Sequence, residues 1–409
     1  MNRMPHKLLL GALAAVACTP RATQGPAANS SPGAVPTGDG AAMAAPATNA
    51  PADTRPNPFE GADMYVSPDY KKKLEAAAKA APALAASITK LESVPTAIWL
   101  DSIASVSRIG PVLDQADQQA AASNRPVVTV FVVYDLPNRD CSAKASAGEL
   151  QVAAGGEQRY KSEFVDKIAE AVSAHPKARV VAIIEPDSLA NLATNLNVPK
   201  CKASDESYRN DVAYAVSKLA LPNVWTYLDA AHAGWLGWGG NSHQIVAIYK
   251  DVLTRAGGAQ KIRGFATNVS NYNTLSGGDG KILGPQNPCP DELSYISKLD
   301  SELTAAGITG KHFIIDTARN GRVVRKSWGN WCNIKGAGLG ERPVASPKPL
   351  VDAYYWVKPP GESDGTSDEK AARFDANCKS EDALPNAPEA GQWFQQQFIE
   401  LVKNANPPL

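Results

Sequence analysis

Residues 179–192 read RVVAIIEPDSLANL, a nearly unbroken apolar run that stops abruptly on Glu185-Pro186-Asp187. A short run without polar alternation suits a strand buried on both faces. The same type recurs at 97–100 (AIWL), 127–134 (VVTVFVVY), 223–228 (NVWTYL), 262–267 (IRGFAT), 312–316 (HFIID) and 352–357 (DAYYWV). Between these runs, Glu157 to His175, Glu206 to Leu221, Ser242 to Gly257 and Asp291 to Gly307 carry apolar residues at helical spacing. Strand, helix and strand in alternation predict an α/β fold with a parallel sheet and helices packed outside it.

Each predicted strand ends on or just before a polar residue: Asp101, Asp135, Glu185, Asp229, Asn268, Asp316 and Lys358. In a parallel β/α barrel the active site is built at the carboxyl ends of the strands, so one rim gathers the polar chemistry. A doubly wound dinucleotide-binding sheet needs a glycine-rich turn between strand and helix. The one glycine cluster, Gly336-Ala337-Gly338-Leu339-Gly340, follows no strand and leads into Arg342-Pro343, which disfavours that fold.

Composition narrows the chemistry. Lys plus Arg equals Asp plus Glu at 41 each, so no global field draws the chain to nucleic acid. The basic run Lys71 to Lys73 reads as a solvated helix face. None of the 5 histidines pairs at ligand spacing and no CxxC occurs, so neither metal nor cofactor is expected. Ser146, in Lys-Ala-Ser-Ala-Gly, lacks the first glycine of a nucleophile elbow. What the rim offers is carboxylate, and paired carboxylates perform acid-assisted displacement at a glycosidic centre.

Asp187 and Asp140 are the best placed, each just beyond a buried strand, although spacing alone favours structural loop carboxylates over catalytic ones. Pro186 fixes its own φ and is expected to bias Glu185 toward extended geometry. Trp235, Trp238 and Trp331 lie among glycines and polar residues in loops, where indole faces can stack on sugar rings. Trp225, Trp356 and Trp393 read as packing.

These segments are similar to glycoside hydrolase family 6, the inverting β-1,4-glucanases that include cellobiohydrolases. VVYDLPNRDCSAKASAGEL and VVAIIEPDSL resemble its two signatures, and TYLDAAHAGWLGW, GFATNVSNYN, FIIDTARNG, GNWCNIKGAGLGERP, WVKPPGESDGTSD and FIELVKNANP continue the likeness over roughly residues 90–409. The resemblance implies a distorted, incomplete β/α barrel of about seven strands, a monomeric chain, and cellulose or cello-oligosaccharides as substrate. It assigns Asp187 as general acid, Asp140 as modulator of its pKa, Asp364 as base, Tyr134 as the residue distorting the sugar ring, and Ser146 as holder of a water. Substrate binding falls to Trp99, Asp101, His232, Trp235, Trp238, Asn268, Asn271, Trp331, Lys358 and Glu362. Glu185 is expected to be structural. The family's disulfides correspond to Cys141 with Cys201 and Cys332 with Cys378, leaving Cys289 over. Ser363 and Ala147 depart from the cysteine and asparagine common at those positions.

Intact stretches Arg139 to Glu149 and Lys358 to Asn386 correspond to loops that roof a substrate tunnel in the family. They favour exo-acting release of cellobiose over an endoglucanase or a catalytically inactive surface glucan-binding protein. Residues 1–17 read as a signal peptide that ends on a lipobox-like Cys18, and 18–57 as a flexible Ala/Pro/Gly-rich tether. The expected catalytic domain is 58–409, in a secreted or cell-surface bacterial lipoprotein.

Overall fold

The computed structural model describes residues 53–409 except 279–282, 285 and 323. The expected signal peptide, Cys18 and most of the tether lie outside the described residues. Nine strands form one curled sheet: β1 (Asp63–Met64), β2 (Ile98–Leu100), β3 (Val127–Val133), β4 (Arg179–Ile184), β5 (Val224–Asp229), β6 (Gly264–Thr267), β7 (His312–Asp316), β8 (Val344–Lys348) and β9 (Val351–Tyr355). The order runs β1-β3-β4-β5-β6-β7-β9-β8, with β2 also paired to β3. Every pairing is parallel except β8 with β9. All seven predicted strands are present, and helices Asp205–Lys218, Gly239–Arg255 and Glu292–Ala305 fill three of the predicted helical intervals. The fourth, Glu157 to His175, is helical but passes through a π-helical segment at Tyr160–Val165.

The apolar runs divide by the two-residue period of a strand. Val128, Val130, Val132, Val181, Ile183, Tyr227, Ala266, Ile314 and Ala353 point into the barrel and pack on one another. Their neighbours Phe131, Val133, Val180, Ala182, Ile184, Leu228, Phe265, Phe313 and Ile315 pack outward in the cluster that includes the surrounding helices. Both faces are buried, which explains the lack of polar alternation.

The barrel does not close by a ladder. Across the seam a single backbone hydrogen bond, Ala97 N–H to Trp356 O at 3.1 Å, joins the β2 and β9 ends. The Trp99 indole adds one to Val357 O at 2.9 Å. A seam held this sparsely leaves room for an opening beside Trp99.

Asp53 to Asn57 correct the expected end of the tether. Arg55 donates to Val224 O at 2.8 Å and lies 4.7 Å from the Trp225 ring centroid. The Asn57 amide donates to Asp352 O at 2.8 Å. These bonds satisfy backbone carbonyls at the entry ends of the strands, so residues 53–57 belong to the folded domain.

Both expected disulfides form. Cys141–Cys201 spans 60 residues and Cys332–Cys378 spans 46, while Cys289 is free and buried. Chain-entropy arguments give a loop of that size about 4 kcal/mol of stabilisation. Replacing both Cys332 and Cys378 by serine is therefore expected to lower the unfolding free energy by up to about 4 kcal/mol, read from the denaturant midpoint against the parent protein.

Candidate active site

The exit turns of the strands are held by side chains from neighbouring strand ends. Glu185, after β4, accepts backbone N–H bonds from Asp135 (3.1 Å) and Leu136 (3.3 Å) at the exit of β3, and the Tyr160 hydroxyl donates to it at 2.8 Å. Asp229, ending β5, accepts the N–H of Asp187 at 2.9 Å and of Ala231 at 3.0 Å. Asp316, ending β7, accepts N–H bonds from Ser270 (3.0 Å), Ala318 (3.0 Å) and Lys358 (3.0 Å). These carboxylates satisfy backbone groups that leave the sheet where water is excluded.

The same turns use left-handed backbone at Asp140 (φ 61°), Glu185 (51°), Asp187 (65°), Asn268 (61°) and Ser270 (59°). For Glu185 this overturns the expected extended geometry before Pro186. Its buried carboxylate is committed to the β3 exit, and those bonds outweigh the local preference of a residue preceding proline.

Two cavities open on this rim. The larger, 540 Å³, is lined by Asp140, Asp187, Asp364, His232, Trp235, Asn271 and Trp331, among others. The smaller, 230 Å³, is lined by Asp101, Glu362, Lys73, Arg108 and Arg373, among others. Trp99, Tyr134, Ser146 and Lys358 border both, so the cavities meet there. Trp99 and Tyr134 stand edge to face with centroids 5.3 Å apart, and the Lys358 ammonium lies 5.3 Å from the Trp99 ring centroid.

Two loops that line the larger cavity, through Ser142, Ala143 and Ser146 on one and Lys358, Asp364 and Asn377 on the other, also contact each other. The Lys144 N–H donates to the Asp375 carboxylate at 3.1 Å, and Ala145 packs with the Cys332–Cys378 disulfide and Trp331. Gly365 is required in this contact: a Cβ there would lie 2.7 Å from both Ala145 Cβ and Cys378 Sγ. Loops 139–149 and 358–386 therefore touch.

The carboxyls differ in environment. Burial pushes Asp187 well above the usual carboxylate range, and the charges of Asp229 and Asp140 push in the same direction. Burial also raises Asp229 to about 7, but the N–H bonds of Asp187 and Ala231 oppose that rise. Of this close pair, Asp187 is raised further, because Asp229 alone receives backbone N–H bonds that favour its charged form. Asp140 is raised by burial, against the Ser146 N–H at 2.7 Å and the positive charges of Arg139 and Lys200. Asp364 pairs with Arg319 at 2.8 Å and accepts from the Tyr272 hydroxyl (2.7 Å) and the Asn333 N–H (2.8 Å). Burial pushes His232 down to about 3, so its imidazole is neutral. Among the described residues, no group of three or more His, Cys, Asp or Glu side chains is placed to hold a metal.

Of the expected substrate-binding residues, Trp99, Asp101, His232, Trp235, Asn271, Trp331, Lys358 and Glu362 line the joined cavities. Asn268 does not. It is fully buried, donates to Asp316 O at 2.8 Å and accepts the Asn273 N–H at 3.1 Å, so it shapes the turn. Trp238 is half-buried and does not line the cavity; its ring centroid lies 6.2 Å from that of Trp328, which is 41% exposed and does. Trp328 was overlooked in the sequence, although its place two residues before Asn330-Trp331 matched the signal applied to the other loop tryptophans. In the basic run Lys71 and Lys72 are exposed as expected, but Lys73 pairs with Glu362 at 2.9 Å and lines the smaller cavity.

The family model described as Glycosyl hydrolases family 6 matches residues 59–405. A protein named probable 1,4-beta-D-glucan cellobiohydrolase C from Aspergillus niger is 45% identical over 86% of this chain and 78% of its own. Exoglucanase 3 of Agaricus bisporus is 44% identical over 86% of this chain and 80% of its own. Among solved structures, cellobiohydrolase II (Cel6A) from Humicola insolens in complex with glucose and cellotetraose superposes with a TM-score of 0.83. It is 42% identical and covers 87% of this chain and 100% of its own. The catalytic core of Cel6A from Chaetomium thermophilum gives 0.83 at 42% identity, covering 86% and 99%.

A carboxyl whose folded pKa is raised favours folding below its unfolded pKa, and that contribution is lost as pH rises through the folded value. Asp187→Asn removes such a group. The variant is expected to gain melting temperature over the parent at pH 7.5 and much less at pH 4.5, by calorimetry at both pH values.

Proposed function

We infer the activity from the family to which the chain belongs, glycosyl hydrolase family 6, which makes it a glycoside hydrolase of the cellobiohydrolase type. We propose that it releases cellobiose from cellulose chain ends, with inversion at the anomeric carbon. The observation that carries exo action is the contact between loops 139–149 and 358–386, through Lys144 with Asp375 and Ala145 with the disulfide. A roofed passage admits a chain by its end, whereas endo action needs an open cleft.

In this reading Asp187 gives its proton to the glycosidic oxygen. Asp140, whose negative charge favours the protonated form of Asp187, steadies positive charge developing on the sugar ring. Asp364 is the base: Oδ2 accepts from Tyr272, Arg319 and Asn333, while Oδ1 accepts only from Arg319, which leaves a lone pair for a water. Tyr134, at the junction of the cavities, presses the reacting ring toward its distorted shape, and Ser146 holds a water beside Asp140. Trp99, Asp101, Lys358 and Glu362 bind sugar on one side of that junction, and His232, Trp235, Asn271 and Trp331 on the other. Trp238 supports the outer platform through Trp328.

A polymeric substrate and two disulfides suit an enzyme acting outside the cell as a monomer. The relatives named above are fungal and lend no support to a lipid anchor at Cys18, which lies outside the described residues.

Asp187→Ala is expected to lower hydrolysis of cellotetraose by roughly 10²–10⁴-fold, the usual contribution of a general acid. On carboxymethylcellulose the parent protein is expected to release cellobiose with little loss of viscosity. A rapid viscosity drop with little cellobiose identifies an endoglucanase, and full activity in Asp187→Ala removes the acid assignment.

A further inference from the structure

The buried guanidinium of Arg325 joins two walls of the larger cavity. Nη1 donates to the Asn271 Oδ1 at 3.1 Å and to Asn330 O at 3.4 Å, and Nη2 donates to the Asn273 Oδ1. Asn271 stands on the cavity wall in the exit turn of β6, and Asn330 lies between Trp328 and Trp331. The opposite side of that aromatic loop is held by Asp382, whose Oδ2 accepts from the Lys326 N–H at 2.7 Å and the Asn330 amide at 2.6 Å.

The chemistry of Arg325 also fixes the orientation of Asn271. Guanidinium is a donor only, so the amide oxygen must face it. That oxygen additionally accepts the Tyr272 N–H at 2.8 Å and the Asn273 amide at 3.3 Å. With Oδ1 saturated on the protein side, the NH2 group is the part of Asn271 left for a ligand.

We propose that Arg325 is a positioning residue for sugar binding. It turns Asn271 so that the cavity presents a hydrogen-bond donor to an oxygen of the glucan, and it holds that donor in register with the Trp328–Trp331 platform. Lysine or glutamine at 325 could reach one of these acceptors but not span all three, because only the planar fork offers parallel donors. The inference rests on the proposed glucan-hydrolase function.

Kinetics on cellopentaose test it with Arg325→Gln and Asn271→Asp. The aspartate keeps an acceptor for Arg325 and removes the donor to the cavity. Each variant is expected to raise KM roughly tenfold with kcat within about twofold, the signature of lost uniform binding. The pH–rate profile should keep its shape, and Asn271→Asp should keep the parent melting temperature. A parent-like KM in Asn271→Asp overturns the assigned amide orientation, and a parent-like KM in folded Arg325→Gln overturns the positioning role. Where Arg325→Gln does not fold, Asn271→Asp decides. If the parent protein fails to cleave cellopentaose, the proposed function is contradicted instead. Calorimetric binding of cellopentaose to the same proteins then decides the Arg325 inference, a parent-like affinity in Asn271→Asp overturning it and a roughly tenfold loss supporting it.

Discussion

The hydrogen bond from an exit-turn N–H to a carboxylate on a neighbouring strand end is the interaction on which this rim depends. Each chain leaving the sheet strands backbone donors in a place that excludes water, and an unpaired buried donor costs about 1–3 kcal/mol. Glu185 answers for β3, Asp229 for β4, and Asp316 for β6 and for the chain beyond β9. The bonds permit left-handed turns at residues such as Glu185 and Asp187, whose side chains would otherwise disfavour them. Asp187, in left-handed backbone directly before the helix Ser188–Thr194, stands on the cavity wall and not inside that helix.

The same interaction sorts the acids by role. Glu185, Asp229 and Asp316, which each collect two or more backbone N–H groups, are compensated for their burial and belong to the scaffold. Asp187 receives no such compensation, and it faces Asp229 and Asp140, so it keeps its proton. Asp364 is compensated differently, mostly by the Arg319 guanidinium and the Tyr272 hydroxyl beside one N–H of Asn333, and these engage Oδ2 more than Oδ1. One solution to a backbone problem thus separates the scaffold carboxylates from the acids that the proposed mechanism uses.

Much of this was legible in the chain. Strands buried on both faces appear as unbroken apolar runs, and β3 to β7 were found within two residues of their bounds. The two missed strands had no such signal: β1 has two residues, and β8 is a largely exposed edge reading Val-Ala-Ser-Pro-Lys. The rim carboxylates were visible as strand-end polar residues, and the family resemblance set Glu185 apart as structural, but spacing alone could not divide them, because the division depends on partners such as the Asp135 N–H, 50 positions from Glu185. Asn268 and Asn271 look alike in GFATNVSNYN, and only the fold shows one turned inward and the other on the cavity wall. Local rules also misplaced Lys73, since nothing near it reveals Glu362, 289 residues away.

The central claim is that the proton shared between Asp187 and Asp229 resides on Asp187, because Asp229 alone accepts two backbone N–H bonds. Carboxyl carbon-13 titration of aspartate-labelled protein, with the two signals assigned by single asparagine substitutions, measures this directly. The account predicts that Asp187 still carries its proton at pH 6 and loses it only above the pH at which Asp229 ionises. An Asp187 signal that is already fully ionised at pH 6, with the proton on Asp229, would contradict it.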